Sequence, residues 1–178
     1  MKQRKITKAL AAAFLFAGAA SVQAATPFEM DVGTGIDRGI EWLANNGAFN
    51  NPSSAGDAHG LPMLALLEKR ASGDPNDPPQ GYTGASATDQ ARLRTAAAYI
   101  LDMVNETGFY SYRDGNFMMA LSLYALTGGP DRAALGLAGP DYQTIKEAMD
   151  ALVDRTVANQ RQAPAYANPV NQGYWCYS

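Results

Sequence analysis

The chain has 178 residues, with 14 Lys and Arg against 17 Asp and Glu, one cysteine and one histidine. This acidic balance argues against nucleic acid or an anionic membrane as the partner. One cysteine cannot form an internal disulfide framework, and one cysteine with one histidine cannot form a His/Cys zinc cluster. We therefore expect no metal site, and nothing in the composition implies a cofactor.

The first 24 residues have the three parts of a secretory signal peptide. Four basic residues between Lys2 and Lys8 precede an uncharged apolar stretch at 10–20, and a small-x-small site ends at Ala24. This order predicts cleavage after Ala24 and export of residues 25–178 to the periplasm, the cell surface or the medium. The alternative is a transmembrane anchor, but the apolar stretch is well short of the roughly 20 residues that span a bilayer.

The exported part is predicted to be one domain built of helices. Apolar residues recur with helical spacing in five segments, as Ile36, Ile40 and Leu43 do in the first, and no stretch of useful length has the two-residue alternation of a strand. Thr144 and Glu147 have the spacing of a capping box. The predicted helices span 34–46, 58–70, 88–105, 115–127 and 141–160, with loops at about 72–87, 128–140 and 161–172.

The five predicted helices alternate between two kinds. The first, third and fifth each have an apolar stripe and a polar side, whereas the second and fourth are apolar all round, so we expect these two to be buried on every side. The pattern predicts an outer and an inner layer, with the first helix antiparallel to the second and the third to the fourth. The residues behind the all-round apolar assignment are Leu61, Met63, Leu64, Ala65, Leu66, Leu67, Phe117, Met118, Met119, Leu121, Leu123, Tyr124 and Leu126. The stripes are formed by Leu93, Ala96, Ala97, Ile100, Met103 and Val104 in the third helix and by Ile145, Ala148, Met149, Leu152, Val153 and Val157 in the fifth.

A short aromatic sequence follows two of the predicted outer helices. Gly108-Phe109-Tyr110-Ser111-Tyr112 comes after the third helix, and Gly173-Tyr174-Trp175-Cys176-Tyr177 comes after the fifth. A weaker version, Gly47-Ala48-Phe49, comes after the first. Because an inner helix follows the earlier versions, we expect the chain to stop within a third helix pair. In that case the apolar stripe of the fifth helix lacks a neighbour, and the chain is the N-terminal part of a longer repeat domain.

The arrangement resembles the terpenoid-cyclase and protein-prenyltransferase superfamily, the α/α-toroid proteins with prenyltransferase and squalene-oxidase repeats. Residues 35–47 are similar to an outer helix of such a repeat, and so are residues 148–160 with the later Gly173-Tyr174-Trp175. In the family, outer helices end in Gln or Asn before a Gly-x-Trp turn that braces the next inner helix, and Gln160 and Trp175 would fill those places. The resemblance covers about 33–177 and implies an all-α, toroid-like but incomplete ring.

The catalytic motifs of that family are not reproduced. Asp74-Pro75-Asn76-Asp77 is the nearest approach to the Asp-x-Asp-Asp acid of squalene-type cyclases, and it lies in a proline-rich loop. The prenyltransferase zinc site needs an Asp two residues before the Cys, and Tyr174 stands there instead. The resemblance therefore implies the fold and leaves open whether the protein is an enzyme, with its catalytic residues unknown.

The candidate binding residues are Tyr110, Tyr112, Asp114 and Trp175, at or near the starts of inner helices. Such starts line the central cavity of a toroid, where aromatic rings and helix N–H groups can hold a ligand such as a sugar. The alternative is that these residues brace turns. His59, next to Asp57, is either a general base or a polar residue at a helix start. Asp150, Asp154 and Arg155 are expected on the solvated side of the fifth helix.

Two functions fit these observations. The first is a non-catalytic exported scaffold that binds a protein or a glycan through its inner rim. The alternative is the N-terminal part of an exported α/α-toroid enzyme, a polysaccharide lyase or hydrolase or a terpene-cyclase-like enzyme, whose catalytic carboxylates lie beyond Ser178.

Overall fold

The computed structural model describes residues 24–50, 56–106, 108–135 and 142–160. Across these ranges the regular structure is helical, with no strand and one isolated antiparallel bridge between Arg70 and Pro79. This confirms the all-α prediction. Within the same ranges, no helix has the length and hydropathy needed to span a bilayer. The predicted signal peptide up to residue 23, the loop at 161–172 and Trp175 all lie outside the described residues.

Five α-helices lie within the described ranges, and two short 3₁₀ turns, Gly56–Ala58 and Arg132–Leu135, precede the second and fifth of them. All five α-helices were predicted, with bounds that differ by up to seven residues. The helices are α1 Pro27–Asn45, α2 Gly60–Leu67, α3 Ala87–Glu106, α4 Ser111–Leu126 and α5 Ile145–Ala158.

Helix α1 begins seven residues before the predicted start, and the reason is local. The Thr26 side chain accepts a hydrogen bond from the Glu29 N–H at 3.3 Å, and the Glu29 carboxylate accepts one from the Thr26 N–H at 2.6 Å. Pro27 at the first helical position already has the backbone angle that a helix requires. The three glycines at 33, 35 and 39 weaken the helix by propensity but do not stop it.

Helices α2 and α4 pack on each other more extensively than any other pair, and α4 also packs on α5. Their shared core contains Met63, Leu66, Phe117 and Leu121, all fully buried. The predicted contacts of α1 with α2 and of α3 with α4 both exist, but they are less extensive than the packing between α2 and α4. The fold therefore centres on the two apolar helices, as the alternation of helix types predicts.

The prediction that α2 and α4 are buried on every side is wrong. Leu61 is 44%, Met119 is 62% and Leu126 is 81% exposed. A helix has more circumference than its neighbours cover here, because no described element lies against those positions. The apolar composition of α2 and α4 therefore overstates their burial.

The two amphipathic helices α3 and α5 bury their predicted stripes to different extents. Helix α3 places Leu93, Ala96, Ile100 and Val104 in the core together with Ala97 and Leu101. In α5, the predicted Thr144–Glu147 capping box forms, and Ile145, Ala148 and Leu152 are buried. Val153 and Val157 in the same stripe remain 47% and 57% exposed.

Candidate functional site

The starts of α2 and α4 meet closely, and Asn116 joins them. The Gly60 N–H donates to Asn116 Oδ1 at 2.9 Å, and Asn116 Nδ2 donates to the carbonyls of Asp57 at 2.7 Å and Tyr112 at 2.8 Å. A Cβ atom on Gly60 would lie 2.4 Å from the Asn116 carbonyl oxygen, so only glycine permits this approach. Asn116 therefore holds the main-chain carbonyls of Asp57 and Tyr112 next to each other.

Asp114 is the buried charge at this place. Its Oδ1 accepts hydrogen bonds from Arg155 Nη2 at 2.9 Å and from Arg113 Nε at 3.2 Å, and its side chain is 1% exposed. Its position in the first turn of α4 also suits the positive end of the helix dipole. A buried carboxylate with two arginine donors is strongly held in place, so Asp114 is not accessible to a substrate.

Arg113 and Arg155 were not among the predicted site residues. Arg113 is buried, with Nη1 3.5 Å from Asp57 Oδ1, Nη2 donating to the Gly108 carbonyl, and its guanidinium carbon 5.9 Å from the centre of the Tyr110 ring. The sequence places Arg155 on the solvated side of α5, which is wrong. Its Nη1 donates to the Val104 carbonyl at 3.1 Å, and its side chain is 16% exposed. A charge-pattern argument cannot find such a residue, because its partner is 41 positions away in the chain.

The two predicted tyrosines lie on the outer side of this network. The rings of Tyr110 and Tyr112 are 6.4 Å apart at their centres and inclined by 60°. Tyr112 is 42% exposed and Tyr110 is partly buried, while the Asp57 side chain is 51% exposed. We call Asp57, Tyr110 and Tyr112 the tyrosine–aspartate surface. It offers an aromatic face and an accessible carboxylate within one small area. The fourth predicted binding residue, Trp175, is outside the described residues.

His59 lies at a helix start, as the second of its two interpretations has it, and its side chain is enclosed. It immediately precedes α2, but its side chain makes no capping hydrogen bond. Asp57 does not orient it either, because the Asp57 carboxylate lies near Arg113 instead. The imidazole is fully buried, 4.2 Å from the Tyr99 ring centre, and neither ring nitrogen has a hydrogen-bond partner among the described residues.

Burial has a direct electrostatic consequence for this histidine. Desolvation of the ring lowers the pKa of His59 from 6.5 to about 4. The ring is therefore neutral at neutral pH and enclosed, so it is unavailable to a substrate as a general base. Its main role is to fill the space beside Tyr99.

A separate cleft of about 880 Å³ lies between α1 and the segment from Lys69 to Asp89. Within it, the Lys69 ammonium lies 2.7 Å from Asp37 Oδ1 and 3.7 Å from Asp89 Oδ2. These groups satisfy one another and hold α1 against the rest of the fold. No sequence signal pointed to the cleft, because its walls come from distant parts of the chain.

Nothing in the described ranges forms a group of three or more His, Cys, Asp or Glu side chains able to hold a metal ion. Asp74 is engaged locally, since its Oδ1 accepts from the Asn76 N–H at 2.8 Å. The Asp150 and Asp154 side chains are exposed, as predicted.

Comparison with known proteins adds no family. No family model, curated protein or solved structure matches the chain.

Proposed function

We propose that the protein is an exported helical scaffold that binds a glycan on the tyrosine–aspartate surface without transforming it. The observation that carries this proposal is the contrast between two layers at the starts of α2 and α4. The inner layer, Asp114 with its two arginines, is buried and electrostatically satisfied. The outer layer is accessible, with Tyr112 at 42% exposure and Asp57 beside it.

A sugar ring fits the chemistry of the outer layer. Tyrosine offers a large, rigid and amphipathic contact surface that loses little conformational entropy on binding. A carboxylate such as that of Asp57 accepts hydrogen bonds from sugar hydroxyls and, when ionised, donates none. The network beneath holds the backbone at both residues, because Asn116 Nδ2 donates to the main-chain carbonyls of Asp57 and Tyr112. A backbone that is already held in place before binding reduces the ordering cost of binding.

Export and the toroid-like arrangement are parts of the same proposal. Export is supported by the basic and apolar pattern of the first 24 residues. A ring of helix pairs with resemblance to prenyltransferase and squalene-oxidase repeats is supported by the two apolar helices at the centre of the fold. N-terminal sequencing of the protein recovered from the cell envelope or medium tests export, and we expect the first residue to be Ala25.

Calorimetric titration with neutral hexasaccharides tests binding, with maltohexaose, cellohexaose and chitohexaose as probes. We expect one of them to bind, and Tyr112→Ala to weaken that binding at least about tenfold, because a truncated aromatic anchor loses most of its contact area. Tyr112→Phe is the matched control, since it keeps the ring and should bind within about threefold of the original chain.

Two results would contradict the proposal. One is the absence of binding to all three probes, and the other is equal binding by the original chain and Tyr112→Ala. Release of shorter sugars during the titration would instead favour an enzyme, and it would show that the carboxylate of Asp57 or another group acts on the glycosidic bond.

A further inference from the structure

Helix α1 exposes an apolar face along most of its length. It buries one residue, Ile40, although it spans Pro27–Asn45. Phe28 is 75% and Trp42 is 64% exposed. Large aromatic side chains left in water on one helix are characteristic of interaction surfaces.

The spacing of these residues puts them on one line. Phe28, Gly35 and Trp42 follow each other at intervals of seven residues, which is two helical turns, and Gly39 lies one turn after Gly35 on the same side. A Cβ atom on Gly35 or Gly39 would meet nothing within 4 Å. The middle of this line therefore has no side chains and is open to a neighbouring molecule, and the aromatic rings lie at its two ends. We call Phe28, Gly35, Gly39 and Trp42 the α1 face.

The charges on α1 separate into two groups. Asp37 is paired with Lys69 at 2.7 Å, and Glu41 is paired with Arg92 at 2.8 Å. Glu29 is engaged in the capping box with Thr26. The remaining charges, Asp31 and Arg38, lie at the exposed surface beside the α1 face, one of each sign. They are seven residues apart in the same helix, which at 1.5 Å per residue separates them by about 10 Å and prevents them from pairing with each other.

We infer that the α1 face binds the α1 face of a second copy of this chain, as an antiparallel pair centred on Gly35. In a two-fold interface, residue i contacts residue j of the other copy and j contacts i. With Gly35 on the axis, Phe28 of each copy lies against Trp42 of the other. Asp31 then lies near Arg38 of the other copy, and the same contacts repeat on the far side.

The chemistry favours a second copy over a membrane. Helix α1 carries four acidic residues and one basic residue, and anionic membrane surfaces repel such a helix. Against a second copy, the charges that remain are complementary, and the two glycines allow close approach of the helix backbones.

The surface area buried between the two copies indicates a weak association. Each Phe or Trp side chain can bury roughly 150–250 Å², so two aromatic residues from each copy bury several hundred Å² in total. This is at the low end of specific interfaces, and we expect a reversible dimer with a dissociation constant in the micromolar range.

Charge reversal tests the interface in the full chain. Sedimentation velocity from about 1 to 200 µM should show a concentration-dependent dimer. Asp31→Arg and Arg38→Asp should each weaken it about tenfold, since each variant replaces two attractive pairs with two repulsive ones. The double variant Asp31→Arg/Arg38→Asp restores opposite charges and should dimerise about as well as the original chain. Both residues are exposed, so none of these variants should alter the melting temperature of the monomer.

A cysteine variant tests the register. In a Cys176→Ser background, Gly35→Cys should form a disulfide-linked dimer on mild oxidation, because the two residues face each other at the axis. Met30→Cys is the control, since Met30 is 55% exposed on another side of α1 and should form no disulfide-linked dimer. A chain that is monomeric throughout the concentration range, bound to vesicles or not, overturns the inference. A double variant that dimerises no better than the single variants overturns it as well.

Discussion

The burial of His59 predicts how the stability of this protein depends on pH. The folded chain keeps the ring neutral down to a pKa of about 4, whereas the unfolded chain exposes it with its ordinary pKa of 6.5. Between these values the unfolded state binds the proton and the folded state does not. Protonation therefore favours unfolding, and the free energy of unfolding falls as the pH drops through this window.

The size of the effect follows from the two pKa values. One pKa unit corresponds to 1.36 kcal/mol, so His59 alone should lower the free energy of unfolding by about 3 kcal/mol between pH 7 and pH 4. This is a large part of the 5–15 kcal/mol that stabilises an ordinary domain.

The variant His59→Leu isolates this contribution. Leucine is apolar and of similar size, and it has no ring nitrogens to leave without partners, so we expect stability at pH 7 to change by less than about 1.5 kcal/mol. Urea unfolding of both proteins at pH 7, 5.5 and 4 should show the variant losing about 3 kcal/mol less than the original chain at pH 4. Carboxylates that titrate in the same range are present in both proteins and cancel in the difference.

The titration can also be observed directly. His59 is the only histidine, so its ring protons give one histidine signal in an untagged sample. A midpoint between pH 6 and 7 in the folded protein would refute the argument, as would parallel loss of stability in the original chain and His59→Leu.

Three further predictions concern packing. Asp114→Asn should lower the free energy of unfolding by about 3 kcal/mol, measured by urea unfolding, because it leaves two guanidinium groups without their shared carboxylate; a change below about 1 kcal/mol would contradict the network. Gly60→Ala should cost about 1–3 kcal/mol through its clash at 2.4 Å, whereas Gly115→Ala, with open space around it, should stabilise α4 by up to about 1 kcal/mol; equal effects in thermal melts would refute the close approach. Under hydrogen peroxide, Met119 at 62% exposure should oxidise at least about tenfold faster than Met63 at 0%, as measured by peptide mass spectrometry. Similar rates would contradict the burial of Met63 and the exposure of Met119.

The predicted elements succeeded where the signal lies within a few residues. The Thr144–Glu147 capping box forms as its spacing requires, and the apolar stripe of α3 is buried from Leu93 to Val104. The predicted start of α1 is too late, although Thr26 and Glu29 form an equally local capping box. The glycines that follow have low helix propensity, and the regular apolar spacing used for the prediction begins only at Ile36.

The candidate site was predicted in part. Tyr110, Tyr112 and Asp114 stand out in the sequence as polar and aromatic residues at a helix start, and the structure places them together there. Arg155 could not be placed with them, because its contact with Asp114 depends on how α5 crosses the start of α4. His59 is close to Asp57 in the sequence, which suggests a general base beside a carboxylate, but the fold turns the imidazole toward Tyr99.

The sequence by itself determined the helical class, the number of helices in the described ranges and which of them form the centre, because hydrophobic spacing and capping are properties of neighbouring residues. Only the tertiary structure decided which faces are covered. Leu126 and Trp42 are apolar and exposed, whereas Asp114 and His59 are polar and buried. Burial depends on what another part of the chain places against a side chain, and that information is shared among residues far apart in the sequence.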